Sequence, residues 1–357
     1  MRAGATQISP AAAPVRVEAV TTAPPRWDAY VAAHPQASAY HLAAAVAIGR
    51  DAFGLRTTYL SAVDAQSRVV GVLPLVEQSS LAFGRFLVSV PFFTYGGVLA
   101  DDDAIAVQLA TRAAELAQAR GAKHAELRHM GPIEGLPFAA RLDKVSMMLE
   151  LPSTFDALAK QVGAKLRSQV KRAERENPEV VWGGAELLGD FYRVFSSTMH
   201  ELGTPVYSRR FFELALKAFG DLARVLVVRA GGEVQAVSIV VRHGDRLEVP
   251  WAAATPAAKR NAMNMRLYWE MLRFAVESQA ARFDFGRSSL DSGTYKFKAQ
   301  WGAQPVQLHW HYWLPAGAAV PQLNHSNPKY ELAATLWKRM PLWCANLLGP
   351  LIARNLP

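Results

Sequence analysis

The chain has 357 residues, just over half of them apolar and about a fifth charged. That profile excludes a disordered chain and predicts two globular domains. The formal net charge of +9 favours anionic partners without choosing among them. A single cysteine, Cys344, excludes an intrachain disulfide and suits a reducing, cytoplasmic setting. No apolar run reaches the roughly 18–20 residues of a membrane-spanning helix.

Met1–Pro14 is rich in Ala and Pro, has no apolar signal core and reads as a disordered leader. Val15–Val20 reads as a strand, and Arg26–Ala33 and Leu42–Phe53 as helices. Thr57–Val63 and Val69–Glu77 form a hairpin over Asp64–Arg68. Leu87–Val90 is a strand, Ala104–Arg120 a helix and Ala122–Arg128 a strand. A strand at Val145–Leu151 follows. Thr154 caps a helix whose apolar residues Phe155, Leu158, Val162, Leu166 and Val170 recur at helical spacing until Asn177-Pro178. Val180–Trp182 is a short strand, and Leu187–Glu201 and Arg209–Phe219 are helices. Three β-rich runs, Ala223–Ala230, Val234–His243 and Arg246–Ala253, are joined by the turn pairs Gly231-Gly232 and Gly244-Asp245. A helix from Met263 to Gln279, a strand Arg282–Phe285, a loop with a short helix over Ser288–Trp301 and a strand Val306–Trp313 complete the second half.

Helix, helix, three strands, helix, strand, helix, strand is the element order of the GNAT acyltransferase fold, and the first half repeats it more loosely. The expected architecture is α/β with mixed sheets. It comprises a leader (1–14), two tandem GNAT-like domains (15–150 and 151–316) and a C-terminal helical tail (317–357). In such a sheet a meander is followed by a crossover helix and a parallel strand. A ligand binds where the two parallel strands part.

Phe283-Asp284-Phe285-Gly286-Arg287-Ser288-Ser289 places a flexible glycine, a cation and hydroxyls at the carboxyl end of a strand, a pattern suited to anions. Tyr295, Phe297 and Lys298 follow within reach. Lys298 is alternatively a surface lysine, and Asp284 a turn cap. The helix Lys160–Arg175 carries Lys165 and a row of Arg167, Lys171 and Arg175, which reads either as a phosphate-binding face or as a solvated one. Ala257–Asn264 adds Lys259, Arg260 and Asn264 at a helix start but lacks the glycine-rich turn usual for CoA pyrophosphate. In the first half, Ser89–Gly97 offers aromatic residues, the Tyr95 hydroxyl and a glycine pair. Glu126 and Arg128 end the strand equivalent to Arg282–Phe285, so Arg128 and Arg287 occupy matching places. His309 and His311 share a strand face without a third ligand nearby, so no metal site is expected.

Val70–Leu75, Phe83-Gly84-Arg85, Ser89–Phe92, Tyr95–Val98, Leu202–Val206, Phe283–Ser288, Phe297-Lys298, Asn327–Tyr330 and Leu347–Pro350 together resemble the FemAB-like family associated with the PEP-CTERM (exosortase) system. More broadly they resemble Fem-type transferases with tandem GNAT folds. The resemblance covers the chain from about Trp27 onward. It implies transfer of an acyl or aminoacyl group to a peptidoglycan-like or exopolysaccharide precursor. The donor would be acyl-CoA or aminoacyl-tRNA, with no permanently bound cofactor. It also assigns the lysine of the Phe297-Lys298 pair to support of acyl transfer. The long coiled-coil arm that some of those enzymes insert is absent.

The expected mechanism is attack of an acceptor amine on an activated acyl carbonyl. Lys298 stabilises the oxyanion and Asp284 is the best-placed carboxylate, as a base or as a partner that orients Arg287. Arg287, Arg128 and Lys165 hold phosphates, with Ser288 and Asn264 beside them, and Tyr95, Tyr207, Trp251 and Tyr295 line the cleft. The expected partners are an anionic or lipid-linked glycan and possible tRNA. A non-catalytic glycan-binding scaffold is the rival reading. Tyr330–Leu356, rich in Leu and Trp, either lies on the inner-membrane surface or packs on the protein itself.

Overall fold

The computed structural model describes residues 15–80, 84–321 and 328–355, so the expected leader lies outside the described residues. The first half runs β1 (Arg16–Val20), α1 (Trp27–Ala33), α2 (Ala43–Phe53), β2 (Arg56–Val63), β3 (Val69–Ser80), β4 (Gly84–Val88), β5 (Leu99–Ala100), α3 (Asp103–Ala119), β6 (Ala125–His129) and β7 (Ala139–Arg141). There follow β8 (Lys144–Glu150), α4 (Phe155–Gln161), α5 (Ala164–Glu174), β9 (Glu179–Gly183), α6 (Leu188–Leu202), α7 (Arg209–Phe219), β10 (Ala223–Ala230), β11 (Glu233–His243) and β12 (Arg246–Ala254). The chain continues through α8 (Pro256–Arg260), α9 (Met263–Glu277), β13 (Arg282–Ser289), α10 (Gly293–Ala299), β14 (Gln304–Gln307), β15 (His309–Trp313), α11 (Pro328–Arg339) and α12 (Leu342–Ala353).

Two mixed sheets result, ordered β1-β2-β3-β4-β6-β15-β7, with β5 on β3, and β14-β8-β13-β12-β11-β10-β9. Each contains one parallel pair, β4/β6 and β12/β13, bridged by the crossover helices α3 and α9. Period-two alternation sorts the side chains of each central strand between two cores. Leu60, Ala62, Leu73 and Leu75 face α3, whereas Tyr59 and Val72 face Trp27 and Val31 of α1. In the second sheet Leu226, Val228 and Val240 face α5 and α9. Val225, Val237 and Ile239 join an aromatic core that spans both halves, with Phe92 and Phe93 on one side and Phe191, Phe211 and Phe212 on the other. Burying a ring such as Phe211, which has no exposed surface, stabilises the join by about 2–3 kcal/mol.

The expected strand Val306–Trp313 is in fact two strands in different sheets. β14 pairs with β8, and β15 pairs with β6 and β7. The chain changes sheets at the buried Leu308, whose N–H donates to Lys144 O at 3.1 Å. Lys144 itself opens β8, which pairs with β13 in the second sheet. The halves thus exchange strands: the place beside β13 is filled from before residue 150 and the place beside β6 from the end of the second half. Linear boundaries at 150 and 316 do not separate the sheets. The helix expected from Thr154 onward is likewise broken, because Val162 is extended and Gly163 starts α5. Arg167 gathers the carbonyls of Ala159, Lys160 and Val162 at the end of α4, so it is not a free member of a cationic row.

Candidate active site

β12 and β13 stay parallel for three positions, Arg246↔Arg282, Leu247↔Phe283 and Glu248↔Asp284, and then part. At the parting β13 carries one extra residue. Asp284 faces Met148 of β8 and Arg287 faces Ser146, three steps against two. Gly286 occupies this bulge at φ 78°, where a Cβ would stand 3.3 Å from Val249 O. Lys298 reaches into the bulge from α10, which is capped by the Ser292 side chain. Its Nζ donates to Gly286 O and Arg287 O, each at 2.9 Å, and the residue is only 8% exposed. Burial pulls its pKa down to about 8, helped by Arg287 and opposed by the Asp284 charge. An ammonium has three donors, so one remains for a ligand in the gap. Phe297 turns to the other side and meets Tyr268 edge-on at 4.9 Å.

Asp284 does not orient Arg287. Its Oδ1 accepts from Ser146 Oγ at 2.5 Å and from Gly286 N at 2.8 Å, and its Oδ2 accepts from Tyr95 Oη at 2.8 Å. The same Tyr95 hydroxyl lies 2.7 Å from Glu248 Oε2. Two carboxylates on neighbouring strands therefore share one hydroxyl from the first half, all in the interior. Burial, and then the Asp284 charge, push Glu248 up to about 8, while Tyr95 is held well above its ordinary value by burial and both carboxylates. Arg246 stacks on the Tyr95 ring at 5.0 Å. Glu248 was missed by sequence reasoning. The available signal was an acid near the start of a strand whose following residues, Val249–Ala254, are all apolar.

Arg128 and Arg287 come together as matching members of the two sheets. Arg128 lies two steps beyond Glu126, which is aligned with Val88 as Asp284 is with Glu248. The extra residue in β13 brings Arg287 to the same place. Their guanidinium carbons stand 4.3 Å and 4.9 Å from the centre of one ring, Trp310 of the exchanged strand β15. Arg128 is buried. It bonds Glu126 Oε1 at 2.6 Å and the carbonyls of Val90, Pro91 and Phe93, while its Nη2 has no partner among the described residues. Burial alone would raise Glu126, but Arg128 and the Tyr312 hydroxyl bring it below its ordinary value. Arg287 is exposed in area yet ringed by protein, as befits a side chain lining a deep recess. This crowding, with Arg128 beside it, lowers its pKa to about 10. The recess has a volume of about 210 Å³ and is lined by Tyr40, Phe92, Phe93, Arg128, Tyr207, Trp251 and Arg287.

Tyr95 borders a neighbouring cavity of about 350 Å³, together with His41, Gly97, His129 and Arg246. Ser288 is buried, with its hydroxyl unpartnered among the described residues. Tyr295 packs against the second core, Asn264 is half-buried near the start of α9, and Lys165 is exposed on α5; none of these three lines either cavity. Arg172 Nη2 donates to Arg260 O at 2.7 Å, so the two basic segments seen in sequence adjoin each other. His311 meets His129, Nδ1 to Nδ1 at 3.0 Å. Among the described residues no group of three or more His, Cys, Asp or Glu could hold a metal ion.

A family model described as an acetyltransferase (GNAT) domain matches residues 161–299, the segment that contains the parted strands. No curated protein matches the chain in sequence. Among solved structures, the chain is similar to one titled as the crystal structure of FemX, with 15% identity, 82% of this chain and 96% of that one covered, and a TM-score of 0.63. It is also similar to the C-terminal domain (DUF2156) of a putative lysylphosphatidylglycerol synthetase from Agrobacterium fabrum, at 14% identity over 88% and 94% of the two chains, with a TM-score of 0.57. A tandem GNAT protein from the clavulanic acid biosynthesis pathway matches at 13% identity over 85% and 100%, with a TM-score of 0.52. At these identities the likeness shows the fold, two GNAT units in tandem. With the matched acetyltransferase domain, the class of the protein is acyltransferase.

Proposed function

We propose that the chain transfers an acyl or aminoacyl group to the amine of an anionic amino-sugar or peptide-bearing envelope precursor. The exopolysaccharide setting implied by the Fem-type resemblance is part of this reading. The observation that carries it is the meeting of the recess lined by Arg128 and Arg287, both stacked on Trp310, with the parted strands into whose bulge Lys298 reaches. The donor carbonyl lies in the gap between β12 and β13. The exposed cations of α5 and α8, Lys165, Lys171, Arg172, Lys259 and Arg260 among them, flank the phosphates of a CoA or tRNA donor. The acceptor occupies the recess, with its phosphate or carboxylate at Arg287 and the free Nη2 of Arg128 and its sugar against Tyr207 and Trp251.

The acceptor nitrogen attacks the carbonyl carbon and an N–C bond forms. The oxyanion is met by the remaining Lys298 donor, and the C–S or C–O bond to the donor breaks as the carbonyl is restored. The amine proton passes to Glu248, whose pKa near 8 suits an amine donor, and returns to the departing thiolate or alkoxide. Tyr40 lines the recess and has its own hydroxyl raised by burial and by Glu248. It stands between the acceptor and that carboxylate.

Titration calorimetry with acetyl-CoA and with a nucleotide-linked amino sugar, followed by mass spectrometry of the mixed reaction, tests the proposal. The expected result is binding of both and an acylated amine. Binding of the sugar without any donor, and no product with acyl-CoA or aminoacyl-tRNA, refutes it and favours a glycan-binding scaffold.

A further inference from the structure

Most surface helices turn large apolar residues inward, but α12 does the reverse. Its inward stripe is small: Ala345, Gly349 and Ala353 are buried at helical spacing. A Cβ on Gly349 would lie 2.9 Å from Val206 O, so only glycine permits this approach. The outward face carries Trp343, Leu347 and Leu351, exposed at 69%, 66% and 54%, and α11 adds Leu332 and Leu336. The helix is nevertheless firmly seated. Trp337 O accepts from His200 Nε2 at 3.0 Å, and Arg354 O accepts from Gln78 Nε2 at 2.8 Å, tying the tail to both halves.

The charges around this face select its occupant. Lys338 and Arg339 close α11 and Arg354 follows α12, while no acid occurs from Leu332 to Asn355. A bare apolar ridge with three cations and no acid from Leu332 to Asn355 matches an anionic bilayer surface, with acyl chains below and phosphates beside it. Twelve residues of helix extend about 18 Å, too short to cross a core of about 30 Å, and no helix of the described residues is long and apolar enough to span a membrane. We infer that α11 and α12 seat the protein on anionic membrane with α12 lying in the interfacial plane. Val206, beneath Gly349, adjoins Tyr207 of the recess, so the docked face lies beside the site where a lipid-linked acceptor would enter.

The test is co-sedimentation of the full chain with vesicles of phosphatidylcholine alone or mixed with phosphatidylglycerol, alongside light scattering of the free protein. The wild type sediments with the mixed vesicles at least tenfold more strongly than with the neutral ones. Trp343→Glu with Leu347→Glu removes at least tenfold of that binding while circular dichroism is unchanged. Lys338→Glu with Arg339→Glu loses about tenfold or more on anionic vesicles only. Absence of vesicle binding by the wild type, or equal binding by the Trp343/Leu347 variant, overturns the inference. So does a wild-type dimer that this variant dissolves without any vesicle binding, which would assign the face to a second copy.

Discussion

Replacing Glu248 by Gln reports directly on the buried carboxylate pair. Gln keeps the shape, and its amide N–H replaces the protonated acid as donor to the Tyr95 oxygen, but it cannot ionise. In the folded chain Glu248 is raised from 4.5 to about 8, so the native state keeps a proton that the unfolded state releases. The contribution of Glu248 to stability is therefore greatest below about pH 4.5, falls as pH rises through the interval to about 8, and is flat above it. At about 1.4 kcal/mol per pH unit the fall amounts to about 5 kcal/mol. Glu248→Gln removes this slope, so the variant becomes progressively more stable than wild type as pH rises. Urea midpoints at about pH 5.5, 7 and 8.5, at constant ionic strength, measure the difference. The same substitution lowers turnover, and the wild-type rate rises with pH toward about 8, where the base becomes free. Parallel stability profiles for the two proteins, or a variant less stable than wild type at the highest pH, refute the shared-proton reasoning. They would show Glu248 to be ionised and paired with Arg246.

Lys298→Met leaves the carbonyls of Gly286 and Arg287 short of a donor. It should cost about 1–3 kcal/mol by thermal unfolding and about 10²-fold in turnover, with the fold retained by circular dichroism. The two arginines separate by stability. Arg128→Ala strands the buried Glu126 carboxylate and costs about 3–5 kcal/mol. Arg287→Ala changes stability by less than about 1 kcal/mol yet weakens a phosphorylated acceptor about tenfold by calorimetry. Residues 1–150 and 151–357, expressed apart, should each fail to give a cooperative unfolding transition. Each lacks or misplaces a strand that the other supplies, and two separately cooperative monomers would contradict that account.

Much of the chain was readable because local rules and tertiary packing agree. Arg209–Phe219 and Ala223–Ala230 fall where cap and periodicity place them, and Gly231-Gly232 turns the hairpin with both residues at positive φ. The doubled element order led to the tandem fold, and motif positions singled out Lys298, Arg128, Arg287, Tyr207 and Trp251. The last four meet in one recess, and Lys298 stands at the adjoining strand gap. Residue type and neighbourhood alone point to Lys165, Asn264 and Tyr295, and nothing in one dimension tells their direction from that of their neighbours.

The sequence by itself therefore determined the elements, their duplication and most of the cations of the site, since these follow from spacing within a few turns of chain. Only the tertiary structure decided which strand completes each sheet. It also joined Tyr95 to two carboxylates 153 and 189 residues away and set Trp310 against both arginines. Such contacts arise from parallel pairing, a one-residue bulge and a strand that changes sheets. Their partners are far apart along the chain, and no local pattern records the distance.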